Sequence, residues 1–441
     1  MGIMFLILFL DLIGFSIIFP LFPGMLEYYR SVETDSGLFA ALFRLIEGFS
    51  QATGAPSSDW GVIVLFGGVL GSLYSLLQFV FSPIFGAVSD RIGRKPVLLV
   101  ALTGLFVSYV LWFFAGSFAL LVAARLLGGI MSANISTATA VVADVTTVQT
   151  RAKGMAFIGI AFGIGFIVGP ALGGVTALVD LTHYFPGLVD YGVNPFSAPA
   201  AAAALLSALN IVLVLVLFRE TLPAAGPGER PVRKTNPLAL LRTFEYPGVT
   251  ATNWAYFMFL IAFSGMEFSL TFLAVERLGF GPLQNASLFL FIGIILSFVQ
   301  GGYVPRAAHR FGSRAVTSHG LICIIPSLVI IGLAGHFAQA WLLYVGLFVL
   351  AVGGAQTLPS LTALASLYAP EHEQGRILGI FRSLGALARA LGPLLACVLY
   401  WRLGGPATYY LGAVWILIPL MLLRFLPPPD MGDKPVEADD A

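Results

Sequence analysis

The sequence predicts an all-α membrane protein with twelve transmembrane helices in two pseudo-symmetric six-helix bundles. Three observations predict it. Of 441 residues, 58% are hydrophobic and only 10% are charged, whereas soluble proteins carry about a quarter charged residues. The apolar residues come in runs of roughly 20, long enough to cross a bilayer core as helices. The charged residues gather between those runs, in segments that match between the two halves of the chain.

The expected spans are 3–25, 61–85, 97–115, 118–142, 154–178, 199–218, 248–274, 285–304, 315–335, 340–364, 377–401 and 406–426. The first follows only Met1 and Gly2, lacks a basic flank and contains Asp11, so it is read as a retained helix rather than a cleaved signal. Lys and Arg set the orientation. With the N-terminus inside, 16 of the 23 basic residues fall on the inner side; only Arg30, Arg44, Arg277 and Arg402 lie outside. Both termini are therefore expected in the cytoplasm of a multi-pass plasma-membrane protein (the inner membrane, if bacterial).

Other classes are disfavoured. Cys323 and Cys397 lie in different spans and form no CxxC pair. There is no GxxxxGK[ST] phosphate loop, no HExxH and no GxSxG. A net charge of +1 gives no reason to expect a nucleic-acid partner. Neither an enzyme nor a cofactor is expected.

The chain divides into residues 1–218, a Pro-, Gly- and Arg-rich linker at 219–247, residues 248–426 and an acidic tail at 427–441, read as disordered. "SDRIGRKPV" (Ser89 to Val97) aligns with "AHRFGSRAV" (Ala308 to Val316), matching Arg91 to Arg310, Gly93 to Gly312 and Lys95 to Arg314. Pro170 in span 5 matches Pro393 in span 11. The two offsets are nearly equal, as one duplication would give. Duplicated bundles with a site at their interface are a recurring transporter design.

The loop after span 2 contains Gly86, Asp90, Arg91, Gly93, Arg94 and Lys95 in order. It resembles motif A of the major facilitator superfamily. Span 4, "RLLGGIMSA" from Arg125, is similar to that superfamily's motif B. Span 5 carries Gly165, Gly169, Pro170, Gly173 and Gly174, and resembles the motif C of its antiporters. The first span, "LDLIGFSIIFPLFPGML", is similar to the opening helix of tetracycline/proton antiporters. The outer loop and "RSLGALARALGPL" resemble the animal tetracycline-transporter-like proteins, organic-anion carriers. The resemblance implies a proton-coupled antiporter exporting amphipathic organic compounds. It implies that motif A is an inside latch, and that motif C packing seals the interface between halves. His309 replaces Asp90's counterpart in the second half, so no equal latch is expected there. Span 9 has His319 and no acid where the tetracycline exporters carry one, which argues against tetracycline itself.

The residues alone add candidates. Asp11 lies about 12 Å into span 1. A charge at that depth costs roughly 2.5–3.5 kcal/mol on insertion scales, and intramembrane acids are functional by default. Asp11, Arg125 and Glu267 are the candidate proton-coupling groups; structural hydrogen bonding is the alternative for Asp11 and Arg125, and a solvated place near the outer mouth for Glu267. Asn134 sits at a depth similar to Asp11 and could partner it. Arg382 and Arg389 are seven apart, on one helix face, and favour an anionic group; pairing with Glu267 or with loop acids is the alternative. Gln78, Gln300 and Gln356 supply neutral hydrogen-bonding groups, so these six residues form the candidate substrate set. Within the outer loop, "LFAALFRLIEGF" reads as an amphipathic helix able to lie on the bilayer or cap a cavity. The expected partners are a small amphipathic substrate, protons and the bilayer, with the chain acting as a monomer and driven by the proton gradient. A uniporter or symporter for a metabolite, and a non-transporting receptor or scaffold, are the alternatives.

Overall fold

In the computed structural model, residues 2–53, 58–146, 148–222, 247–369 and 374–427 are described. Most of the linker and nearly all of the tail lie outside them. The described residues are helical with short connections. This follows from the medium: no water in the bilayer core satisfies a free backbone amide, so the spans bond internally as helices.

Length and composition alone give eleven candidate spans, because Pro282–Phe337 is continuous and apolar. At 56 residues that segment is too long to cross once. Gly312 breaks it, with φ 80° and ψ 152°, separating spans 8 and 9 and giving twelve. Gly93 (φ 109°) does the same between span 2 (Asp59–Ile92) and span 3 (Arg94–Phe113). The two glycines matched in sequence therefore make the same backbone turn, a conformation that a side chain disfavours.

The following cation repeats the symmetry. Lys95 Nζ donates to the Leu215 carbonyl (2.9 Å) at the end of span 6. Arg314 donates to the Leu426 and Arg424 carbonyls (both 2.9 Å) at the end of span 12. Each places a positive charge on helix carbonyls, where the dipole favours it.

Within a bundle, close packing and buried polar stitches hold the spans, since lipid provides little hydrophobic drive between helices. Ser16 donates to the Gly165 carbonyl (3.0 Å), tying span 1 to span 5. Asn210 donates to the Ile7 carbonyl (2.9 Å), tying span 6 to span 1. In the second half Trp415 donates to the Met258 carbonyl (2.9 Å).

Twelve spans bring both ends of the described chain, and the segments flanking the linker, to one end of the molecule, here the terminal end. The opposite, loop end carries the helix Leu38–Thr53. Contacts between the halves gather there. Cys397 of span 11 packs on Gly68 of span 2, Phe272 of span 7 packs on Gly67, and Ala286 of span 8 packs on Gly174. At the terminal end, Gly86 has only Ser136 of its own half near it, and nothing lies within 4 Å of a Cβ built on Gly301, Gly302 or Gly379. The halves are thus sealed at the loop end, whereas among the described residues none of these four terminal-end glycines meets the other half.

Candidate functional site

Behind the seal, between the halves, lies a small cavity. The first half contributes Phe15, Phe19, Ser75, Arg125 and Phe166; the second contributes Ser264, Glu267, Phe268, Thr271 and Arg389. Aromatic rings join across it: Phe19 lies 6.5 Å from Phe268 and 6.4 Å from Phe289, centroid to centroid. Two guanidinium groups and one carboxylate therefore face an aromatic-walled space at the junction of the repeats.

Arg125 is almost fully buried. Its guanidinium carbon lies 4.2 Å from the centroid of Tyr74, within cation–π range. Its Nε is buried without a hydrogen-bond partner among the described residues. Tyr74 and Tyr109 interact electrostatically with both Arg125 and Asp11, so two phenols connect the acid of span 1 to the base of span 4. Tyr109 reaches in because Gly14 has no side chain: a Cβ there would stand 3.0 Å from Tyr109 Oη. Asp11 itself is beside the cavity rather than in its lining. On the other side, Arg389 interacts with Glu267 and hydrogen-bonds Tyr256.

The remaining sequence candidates are placed differently. Span 4 is interrupted between Met131 and Asn134. Gln78 donates to the Ser132 carbonyl (3.1 Å) at that break, satisfying a backbone group the break releases. The Asn134 side chain lies outside the described residues. Gln356 is buried and bonded to His319 Nδ1 (2.8 Å), joining spans 9 and 10 away from the cavity. Gln300 lies in a π-helical turn, Val299–Tyr303, also outside the lining. Arg382 does not line the cavity either. Sequence reading missed Tyr74, Tyr109 and Tyr256, because a tyrosine in a span carries no signal of what it faces.

The motif A residues make a clasp inside the first bundle. Arg94 pairs with Asp90 (2.5 Å) and with Asp144 after span 4 (2.9 Å). Glu220, after span 6, accepts from the backbone N–H of Arg94 (2.9 Å) and Lys95 (3.0 Å), capping span 3. A Cβ on Gly93 would meet Glu220 Oε2 at 2.6 Å, so this approach needs glycine. Arg91 is exposed at the end of span 2, and Gly86 faces span 4.

Motif C likewise faces mainly its own bundle. Gly165, Gly169 and Gly173 pack on Leu12, Ser16 and Ile17 of span 1, with Pro170 buried beside them. Gly174 alone of these glycines meets the other half, at Pro282, Leu283 and Ala286. The expected interface role therefore falls to Gly174, while the every-fourth-residue glycine face closes span 1 onto span 5.

The sequence profile of the Major Facilitator Superfamily matches residues 4–393, and again 304–439. The mouse protein "Major facilitator superfamily domain-containing protein 10" is 35% identical over 96% of this chain and 91% of its own length. The class B tetracycline resistance protein of Escherichia coli is 28% identical over 89% of this chain and 86% of its own. Among solved structures, the human organic anion transporter MFSD10 (TETRAN) superposes with a TM-score of 0.73 at 33% identity, covering 96% of this chain and 98% of that one. The family and these structural neighbours are transporters, not enzymes. With twelve spans in two repeats, a cavity at their junction and these relatives, the chain belongs to the Major Facilitator Superfamily of membrane transporters.

Proposed function

We propose that the protein exports amphipathic organic anions in exchange for protons. The observation that carries this reading is the cavity between the halves, where Arg125 and Arg389 face Glu267 among phenylalanines. The two guanidinium groups suit a carboxylate or sulfonate. The rings suit an apolar body. The human relative is an organic anion transporter by description, which points the same way.

The coupling follows from shared partners. Asp11 and Arg125 share Tyr74 and Tyr109, and Glu267 shares Arg389 with the cavity. Exchange requires the two ligands to alternate on these groups: the acid is ionised while the substrate anion is held, and protonated on the return step with the anion gone. A potential of about 100 mV supplies ~2.3 kcal/mol per charge. One pH unit adds ~1.4 kcal/mol. Together they sustain a gradient of about a few hundredfold for a neutral substrate in one-to-one exchange, and a steeper one for an anion, whose exit moves a second charge with the potential. With the basic residues inside, the terminal end faces the cytoplasm and the sealed loop end lies outside. A plasma-membrane location, a monomer and both termini inside belong to the same reading.

The test is flux in proteoliposomes carrying an internal pH dye. A proton gradient is imposed and amphipathic anions, cations and zwitterions are added in turn. Anion-dependent proton movement, lost in D11N or E267Q, is the expected result. Anion flux without proton movement would leave a uniporter, and a preference for cations would overturn the anion assignment.

A further inference from the structure

We infer that Arg382 and Tyr256 form a second anion station, between the cavity and the terminal end. The inference rests on the anion reading above and extends it to the path the substrate takes. Span 11 runs from Gln374 at the terminal end to Leu403 at the loop end. Arg389, midway along it, lines the cavity, whereas Arg382 does not. The two are seven residues apart, so they share one helix face at a separation of roughly 10 Å.

Tyr256 of span 7 fills the gap between them. Its ring stacks on Phe381 with centroids 3.8 Å apart and planes at 14°. Its hydroxyl rests on Gly385, where a Cβ would lie 2.5 Å from it. It hydrogen-bonds Arg389 and interacts electrostatically with Arg382. One phenol therefore connects the cavity arginine to the next arginine outward. No carboxylate lies within 4 Å of Arg382 among the described residues. The helix surface beside it borders open space at Gly379. An arginine kept within a span marks an ion pathway. The chemistry it recognises is a single oxyanion group, carboxylate, sulfonate or phosphate, carried by a solute or by an anionic lipid.

Binding of naphthalene-2-sulfonate to the full chain in phosphatidylcholine nanodiscs tests this. The wild type should take up two equivalents. R382Q should take up one, with the affinity of the remaining site changed less than about threefold. R389Q should lose the other, and Y256F should weaken both. R382K, which keeps the charge without the planar fork, should retain the second equivalent about tenfold more weakly, and it guards against a folding defect in R382Q. If anionic phosphatidylglycerol removes the second equivalent by competition, the station's occupant is a lipid headgroup. If no lipid competes, the occupant is the solute. One equivalent, lost in R389Q and unchanged by R382Q, would overturn the station and leave the cavity reading standing. No saturable binding to the wild type would overturn both.

Discussion

Arg125 shows what a single residue contributes. A buried guanidinium whose Nε has no hydrogen-bond partner among the described residues leans on ring faces, and the Tyr74 centroid lies 4.2 Å from it. Lysine would keep the charge but lose the planar contact and the fork that holds an anion. R125K is therefore expected to reduce transport by about tenfold or more, measured as flux normalised to folded protein recovered from the liposomes. Asp11, linked to the same arginine through two tyrosines, should act on coupling more than on binding. D11N is expected to abolish substrate-driven proton movement while changing the substrate's Kd by less than about threefold. These acids and arginines were legible in the sequence, because a charge inside a span is too costly to keep idle. Two of the glutamines bond within their own bundles: Gln78 donates to the Ser132 carbonyl at the break in span 4, and Gln356 donates to the Val352 carbonyl and bonds the His319 ring.

At the scale of the helices, the glycine face of span 5 and the clasp at the end of span 2 decide how the first bundle holds. Gly173 lies so close to the Ile17 carbonyl that any side chain would displace span 1. G173L is expected to destabilise the protein by about 1–3 kcal/mol, as overpacking does, with a lower midpoint in a thermal size-exclusion assay. The clasp predicts a pH dependence. Burial alone would raise the Glu220 carboxyl, but backbone N–H donors from Leu222, Arg94, Lys95 and Thr221 outweigh it and hold it below the usual carboxylate range. A depressed carboxylate stabilises the fold above its unfolded-state value and loses that contribution as the pH falls through its folded-state value. The clasp is thus intact at neutral pH and weakens as the pH falls through the lowered folded-state value of Glu220. Thermal unfolding compared at neutral and acidic pH should show a smaller acid-induced loss in E220Q than in wild type. The glycine spacing foretold close packing but not which helix would fill it. Both span 1 and span 8 lie against span 5, and only Gly174 turned to the second.

The whole molecule is two rigid halves meeting at a seam, and its native cysteine reports on that seam. Cys397 is fully buried against Gly68 at the loop end. Alternating access requires this contact to part when the loop end opens. In a C323S background, labelling of Cys397 by a membrane-permeant maleimide should be slow in the state seen here and rise several-fold under conditions that drive turnover. Unchanged labelling during active transport would mean that the seam does not open at Gly68. The outer helix Leu38–Thr53 adds to this closure. Phe39 anchors it to Phe66 and Phe118 of the first half, while Phe49 stacks near Trp401 of the second at 6.5 Å. Its amphipathic character was readable, and of the two places open to it the structure shows contact with both halves at the loop end.

The sequence by itself determined the spans, the two repeats and the charges carried into the membrane, because hydropathy, glycine turns and the penalty for buried charge are local quantities. It matched Gly93 to Gly312 and Lys95 to Arg314 before any coordinates did. Only the tertiary structure decided which charges meet. Arg125, Glu267 and Arg389 come from three helices, each more than about a hundred residues from the next in sequence, and no spacing rule connects them. Tyr74, Tyr109 and Tyr256 join the site because neighbouring glycines admit them or an arginine needs a partner. Such pairings belong to packing between helices, which a linear pattern does not encode.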